Sequence, residues 1–332
     1  MITDLKEIGF YTLSDARCKS ASMFSPLQRC ELILGARCNF SCNYCRRIGG
    51  KDMAQEQAES TVRLWCSQGL KNIRFSGGEP TLHPGIVRLV ELATELGCEH
   101  VAISTNGSAS KQMYDDLIAA GANDFSVSLD ACCAADGDMM AGVRGSWDTV
   151  VDNIRYLSAK TYVTVGCVLT NDNVDKVNDI ITFADSLGVS DIRIIPAAQD
   201  GDRLSNVYVA PELLAKYPIL AYRIENIKAG VPVRGLGESD TSTCGLVLDD
   251  MAVMGDKHYP CIIYLRESGT AIGTVGPNMR QERADWRRAH NTKSDPICSK
   301  NCLDVCTLFN NRHAEWHENA SQNAQDDVIT VL

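Results

Sequence analysis

Between residues 30 and 200, short apolar runs alternate with amphipathic stretches. The runs 30–35 (CELILG), 71–76 (KNIRFS), 100–105 (HVAIST), 123–129 (NDFSVSL), 161–169 (TYVTVGCVL) and 191–196 (DIRIIP) have the length and composition of buried strands. Helical periodicity appears near 54–69, 84–97, 110–120, 147–158 and 174–187. In the last of these, Val174, Val177, Ile180, Ile181 and Ala184 share one face. Strands that alternate with helices predict a parallel sheet, because parallel neighbours need a crossover and a helix supplies it. Right-handed crossovers curl such a sheet. The expected fold is therefore α/β, a partial (β/α)6 TIM-like barrel, with its chemistry at the C-terminal ends of the strands.

Beyond Pro196 the pattern changes. Residues 211–229 predict a helix broken at Pro218. Residues 245–265 read as two strands around a Gly255–Asp256 turn. A charged stretch (280–297) and a last cysteine group follow, and the polar tail 315–332 has no assigned role. The expected organisation is an extension over 1–29, a core over 30–205, a hairpin-plus-helix region over 206–314, and the tail.

Composition narrows the class. Of 332 residues, 45% are apolar and 22% charged, as in a soluble globular protein. No run approaches the ~20 apolar residues of a membrane span. The N-terminal segment MITDLKEIGFYTL is no secretory signal, so a cytoplasmic location is expected. A net charge of −10 disfavours nucleic acid as a partner. The 15 cysteines are the strongest signal, since in a reducing compartment clustered cysteines point to metal and scattered ones to buried apolar positions. Cys38, Cys42 and Cys45 form one cluster, and Cys298, Cys302 and Cys306 another. Cys244 and Cys261 flank the hairpin, while Cys18, Cys30, Cys66, Cys98, Cys132, Cys133 and Cys167 are scattered.

The first cluster reads CNFSCNYC and follows the first strand. Three thiolates can hold three irons of a 4Fe–4S cluster and leave the fourth iron open to a small molecule. Zinc is the competing explanation, though zinc prefers four ligands in paired motifs. With Tyr44 before the third cysteine, this segment resembles the radical S-adenosylmethionine (SAM) superfamily. Further motifs arrive in that superfamily's order. Gly77-Gly78-Glu79-Pro80 follows the second strand, Ser104-Thr105-Asn106-Gly107 closes the third, and Ser128-Leu129-Asp130 ends the fourth. Gly142 to Asp148 resembles the segment that enters the next helix in members with SPASM or Twitch extensions.

The resemblance implies that Cys38, Cys42 and Cys45 hold a 4Fe–4S cluster. It implies that Tyr44, Gly77, Gly78, Glu79, Ser104, Asn106 and Ser128 line the SAM site, with the backbone and Glu79 holding the methionine amine. It further implies that an electron from a ferredoxin or flavodoxin cleaves SAM to a 5′-deoxyadenosyl radical, which removes a hydrogen atom from the substrate. The hairpin and the late cysteines resemble the Twitch or SPASM extension. They imply one auxiliary 4Fe–4S cluster held by four of Cys244, Cys261, Cys298, Cys302 and Cys306. The alternative is that Cys298, Cys302 and Cys306 share one helix face and pack as small apolar residues.

The expected substrate is a small polar metabolite or a peptide, undergoing dehydrogenation, epimerisation or rearrangement. For an epimerase, Cys132, Cys133 and Cys167 are candidate hydrogen donors, and Asp130 is a further candidate in the site. A second enzyme class is the GTP 3′,8-cyclase of molybdopterin biosynthesis. Arg74 matches a GTP-contacting arginine of that family, whereas Glu31 and Thr164 stand where basic residues are expected. An iron–sulfur or zinc scaffold or sensor is the non-enzyme alternative. Arg144 and Arg193 are candidates for a substrate carboxylate or phosphate, set against a structural role.

Overall fold

The computed structural model describes Leu5, residues 11–198 and residues 207–329, with Tyr11 and 318–329 by backbone alone. The strands are β1 (Arg29–Ile33), β2 (Asn72–Ser76), β3 (His100–Thr105), β4 (Asp124–Ser128), β5 (Tyr162–Leu169), β6 (Asp191–Pro196), β7 (Asp250–Met254), β8 (Lys257–Tyr259) and β9 (Gly273–Thr274). In the first half of the chain the helices are α1 (Asp15–Ser20), α2 (Gln55–Ser67), α3 (Ile86–Glu95), α4 (Lys111–Ala119), α5 (Ala134–Ala141), α6 (Ser146–Ser158) and α7 (Val177–Ser186). The second half adds α8 (Pro211–Lys216), α9 (Pro218–Lys228), α10 (Ile262–Arg266), α11 (Met279–Ala289), α12 (Cys298–Asn301) and α13 (Asp304–Ile329).

All strands join one sheet in the order β6-β5-β4-β3-β2-β1-β7-β8-β9. Strands β1 to β6 are parallel neighbours, as a part-barrel requires, and β7 pairs parallel to β1 from Arg29↔Asp250 to Ile33↔Met254. The hairpin β7–β8 turns at Gly255, whose φ of 59° favours glycine, and β9 adds antiparallel to β8. The expected hairpin is thus present, and it extends the core sheet.

Alternation along the strands sorts residues to two faces. Cys30, Leu32, Ile73, Phe75, Val101, Ile103, Phe125, Val127, Val163, Val165, Ile192 and Ile194 enter the main apolar core beneath the crossover helices. That core also takes Leu89 and Val90 of α3 and Ile180 and Ile181 of α7. Their neighbours on the same strands line the inside of the curved sheet, and many of them are polar. The chain breaks at Pro218 as expected, because a proline that opens α9 cannot continue α8.

Helices α1, α5, α10, α11 and α13 lie where none was expected, and α10 stands in the last part of the stretch read as the hairpin's second strand. Helix α5 ends at Gly142 (φ 65°), and α1 packs on α13 through His313, whose Nδ1 meets the Cys18 carbonyl at 2.8 Å. Helix α11 lies in the charged stretch read as irregular, and its buried face is only Met279, Arg283 and Ala284. Arg283 is fully buried and donates to the carbonyls of Val247 (2.7 Å), Asp250, Tyr259 (2.9 Å) and Pro260 (3.1 Å). It satisfies the backbone around the hairpin that the sheet leaves unpaired. Part of the tail continues α13 as far as Ile329.

Candidate active site

The loops that follow β1, β2 and β3 meet at the C-terminal edge of the sheet. Cys38 and Cys45 are exposed and Cys42 is half-buried in the first loop. The second loop is held against it by Gly78 N–H to the Gly35 carbonyl (2.9 Å) and Glu79 N–H to the Arg37 carbonyl (2.8 Å). A Cβ on Gly78 would lie 2.3 Å from the Arg37 oxygen. One on Gly77 (φ 148°) would lie 2.6 Å from the Gly35 oxygen. Two glycines are therefore needed for backbone to lie on backbone here.

Glu79 is buried, and its carboxylate is fully engaged within the protein. Oε1 accepts from Thr81 N–H (3.1 Å), Thr81 Oγ1 (2.7 Å) and Thr105 Oγ1 (2.9 Å), and Oε2 accepts from Asn106 N–H (2.7 Å). Burial pushes its pKa up, and these donors partly offset the rise. Asn106 then reaches the cysteine loop: its Nδ2 donates to Asn39 Oδ1 at 2.9 Å and lies 3.8 Å from Cys38 Sγ. Glu79 acts on the site through Asn106, by fixing the third loop against the first.

Tyr44 donates its hydroxyl to Asp130 Oδ2, and Asp130 Oδ1 accepts from Val168 N–H at 2.7 Å. Burial raises the Asp130 pKa to about 6, against the pull of these two donors. Burial also raises the Tyr44 hydroxyl well above its usual value. Asp130 thereby ties the cysteine loop to β5. Ser128 is exposed at the end of β4, and Ser104 accepts from Arg74 at 2.9 Å. The other cysteines point elsewhere. Cys167 belongs to the helix-side core, Cys132 packs against that core, and Cys133 caps α5 and lies 3.3 Å from Asp136. Arg144 is exposed, and His83 is buried between the Met53 carbonyl and Gly85 N–H.

Below this edge the inner face of the sheet is polar. Arg74 donates to Ser104 and to Asp124 (3.0 Å), while Arg193 donates to Ser126 Oγ at 3.1 Å. Ser104 and Ser126 are register partners on β3 and β4, so both guanidinium groups converge on adjacent hydroxyls. Glu31 pairs in register with Arg74, and Thr164 with Ser126. Arg266 of α10 donates to the Gly77 carbonyl at 3.3 Å and lies 3.5 Å from Ser76 Oγ. Arg46, next to Cys45, ion-pairs with Glu267 just beyond α10. Arg266, Glu267 and Arg234 carry no sequence signal of their own, so inspection of the chain misses them.

The five late cysteines line one cavity, with Tyr264 and Trp286 among its other walls. Cys261 is the N-cap of α10, Cys298 opens α12, Cys302 is its C-cap, and Cys306 lies in α13. The chain turns between α12 and α13, so the three do not share one helix face. Burial raises all five thiols, Cys261 to about 12. Ionising them inside an apolar wall requires positive charge beside them, which a metal cluster supplies. Asp295 prepares this wall: Oδ1 accepts from Ile297 N–H (2.8 Å) and Cys298 N–H (2.7 Å), and Oδ2 from the Tyr264 hydroxyl (3.0 Å).

Donor chemistry fits iron–sulfur clusters at both sites. Among the described residues, the one group whose ligand atoms close to single-ion distances is His290, Asp295 and Cys298. Both Asp295 oxygens are already used, so this group is a cap more than an ion cage. Neither cysteine triplet contracts onto a single ion. Thiols that each take their own iron stand farther apart.

Fold, loop order and cysteine placement define a radical SAM domain, and the comparisons agree. Residues 32–184, a little under half of the chain, match the family model described as the Radical SAM superfamily, so that stretch is a radical SAM domain. A probable GTP 3′,8-cyclase of Methanothermobacter marburgensis is 36% identical over 109 residues, 32% of this chain and 36% of that one. The GTP 3′,8-cyclase of Staphylococcus carnosus is 29% identical over 189 residues, 52% of this chain and 50% of that one. The chain thus spans about half the length or less of these two relatives.

Among solved structures, Streptococcus suis SuiB bound to S-adenosylmethionine aligns with a TM-score of 0.57 at 17% identity, over 82% of this chain and 67% of that one. Native anSMEcpe with bound AdoMet and Cp18Cys peptide aligns at 0.58 and 17% identity, over 92% and 98%. At this identity the likeness is one of fold, and it runs beyond the core into the late-cysteine region. The cofactors of the domain are a 4Fe–4S cluster and SAM. No helix among the described residues is long and apolar enough to cross a membrane.

Proposed function

We propose that the chain is an enzyme that removes a hydrogen atom from a small polar molecule held inside the part-barrel, with Cys38, Cys42 and Cys45 as cluster ligands. The observation that carries this is the meeting of three loops, through Gly78, Glu79 and Asn106, directly above a polar inner wall. When bound, cluster and SAM supply a 5′-deoxyadenosyl radical. The chain's own residues hold and enclose. The Gly77–Glu79 backbone and Asn106 fix the SAM loop, Tyr44 and Asp130 anchor the cysteine loop, and the inner wall binds the substrate away from bulk water. Four of the five late cysteines hold an auxiliary cluster in a Twitch-like region over 206–314. A ferredoxin or flavodoxin is the reductant.

Anaerobic reconstitution, reduction and assay for 5′-deoxyadenosine and methionine test this. Wild type releases both, and Cys42→Ala releases neither. Iron content is about eight per chain with two clusters and about four with one. Zinc alone in the purified protein would refute the proposal.

GTP cyclisation is the second reading, favoured by Arg74 on the inner wall and by the named relatives. Two observations weigh on the other side: Arg74 is engaged by Asp124, and Glu31 adds negative charge beside it. Turnover of GTP under the same conditions decides between them.

A further inference from the structure

The scattered cysteines include a pair that the fold brings into contact. Cys66 lies in the last turn of α2 and Cys98 just beyond α3, and their Sγ atoms are 3.7 Å apart. Both sit at helix ends that a glycine closes. In α2, Gly69 (φ 77°) donates its N–H to the Cys66 carbonyl (2.9 Å), and Leu70 N–H donates to the Trp65 carbonyl (3.2 Å). In α3, Gly97 (φ 91°) donates to the Thr94 carbonyl (3.0 Å), and Cys98 N–H donates to the Ala93 carbonyl (3.0 Å). Each end is the same nested two-bond cap around a left-handed glycine. Two fixed caps therefore aim the thiols at each other, and the approach belongs to the backbone more than to the side chains. Sulfurs in van der Waals contact stand one side-chain adjustment from bonding distance.

The two thiols differ in the way a redox pair requires. Cys98 is 8% exposed and belongs to the main core, whereas Cys66 is half-buried and packs against that core from outside. Ser67, Gly69, Leu96, Gly97 and Glu99 around them are exposed, so a small reagent meets Cys66 first. The contact with Cys98 holds the Cys66 thiol below its ordinary pKa, and the same contact with burial pushes Cys98 above its own. An accessible, more readily ionised thiol is the attacking group, and the protected one behind it resolves the adduct.

We infer that Cys66 and Cys98 are a reversible dithiol–disulfide pair, oxidised by a low-molecular-weight disulfide and separate from both cysteine groups assigned to clusters. The Cys66 thiolate attacks one sulfur of the reagent, forming a mixed disulfide and releasing one reagent thiol. Cys98 then gives up its proton and displaces the second reagent thiol from Cys66. Two protein thiols become one disulfide while one reagent disulfide becomes two thiols, so atoms and electrons balance. The bond joins positions 32 apart and closes the chain around β2, the Gly77–Glu79 loop and α3. It is thus an oxidation site on the outer wall of the unit that carries that loop.

Reconstituted wild type, Cys66→Ser and Cys98→Ser are incubated under argon with glutathione disulfide, quenched with acid, alkylated, digested with trypsin and mapped by mass spectrometry. Each cysteine falls in its own tryptic peptide, 64–71 and 89–111. Wild type yields these two peptides joined, and dithiothreitol separates them. Cys98→Ser stops at the mixed disulfide, with glutathione on Cys66. Cys66→Ser takes glutathione on Cys98 at least about tenfold more slowly, as burial of that thiol requires. Wild type in which both residues are recovered as alkylated free thiols, or carry glutathione without joining, overturns the inference and leaves two core cysteines in contact. Neither result touches the enzyme assignment, which rests on other cysteines and is read by 5′-deoxyadenosine release.

Discussion

Gly78→Ala is the sharpest probe of how the site is built. The new Cβ would stand 2.3 Å from the Arg37 oxygen and 2.6 Å from the Ala36 oxygen, where ordinary contact begins at 3.4 Å. Both obstacles are backbone, so no side chain can swing away and the cysteine loop must retreat by about 1 Å. That retreat breaks Gly78 N–H to Gly35 O and Glu79 N–H to Arg37 O, about 1 kcal/mol each. Overpacking adds about 1–3 kcal/mol, for a total of about 3–5 kcal/mol. The loop that moves carries Cys38 and the Asn39–Asn106 contact, so SAM cleavage falls together with stability. Urea midpoints of reconstituted protein under argon, read by circular dichroism, and 5′-deoxyadenosine yield measure the two effects. Gly49→Ala is the control: it lies in the same loop with nothing within 4 Å, and it should stay within about 0.5 kcal/mol of wild type. A Gly78→Ala protein with the parental midpoint and yield would show that the loops are not locked in this way.

Further consequences can be checked in parallel. Glu79→Gln leaves an amide NH2 facing either Asn106 N–H or the Thr81 and Thr105 donors. It should cost about 1–3 kcal/mol and weaken SAM binding, read by equilibrium dialysis. Arg283→Met strands four buried carbonyls around the hairpin and should cost about 3–5 kcal/mol, with loss of late-site iron by metal analysis. Asp130, held at about 6 against an ordinary 3.8, binds its proton more tightly folded than unfolded. Its contribution is therefore greatest below pH 4 and is lost as pH rises to about 6, by about 3 kcal/mol in all. Asp130→Asn should flatten that part of the stability–pH curve, and a slope identical to wild type would exclude the assignment.

Strands were the legible part of this chain. Residues 100–105 and 191–196 are strands from end to end, because a buried parallel strand is a short apolar run with few other interpretations. Cysteine spacing and the Gly77–Glu79 motif located the cysteine loops without help from tertiary contacts. What stayed hidden depends on long-range pairing. Nothing local to Asp250–Met254 shows that it will lie beside Arg29–Ile33, more than two hundred residues away. Helix α11 escaped because its buried face is built on an arginine, which charge patterning assigns to solvent. Arg74 and Arg193 were singled out from the chain, whereas Arg234 and Arg266 were not, because nothing local shows that their segments fold back onto the ends of β6 and β2.

The pairing of β7 with β1 also sets how the molecule can be divided. Cutting the chain ahead of residue 240 would strip β1 of one neighbour along its full length and leave the N–H and C=O groups that face β7 unmet, while those on the β2 side stay paired. A parallel strand with one edge bare, here carrying Leu32 and Ile33, is a template for aggregation. The superfamily domain of this protein should therefore behave poorly when expressed alone, and its soluble minimum includes the late-cysteine segment.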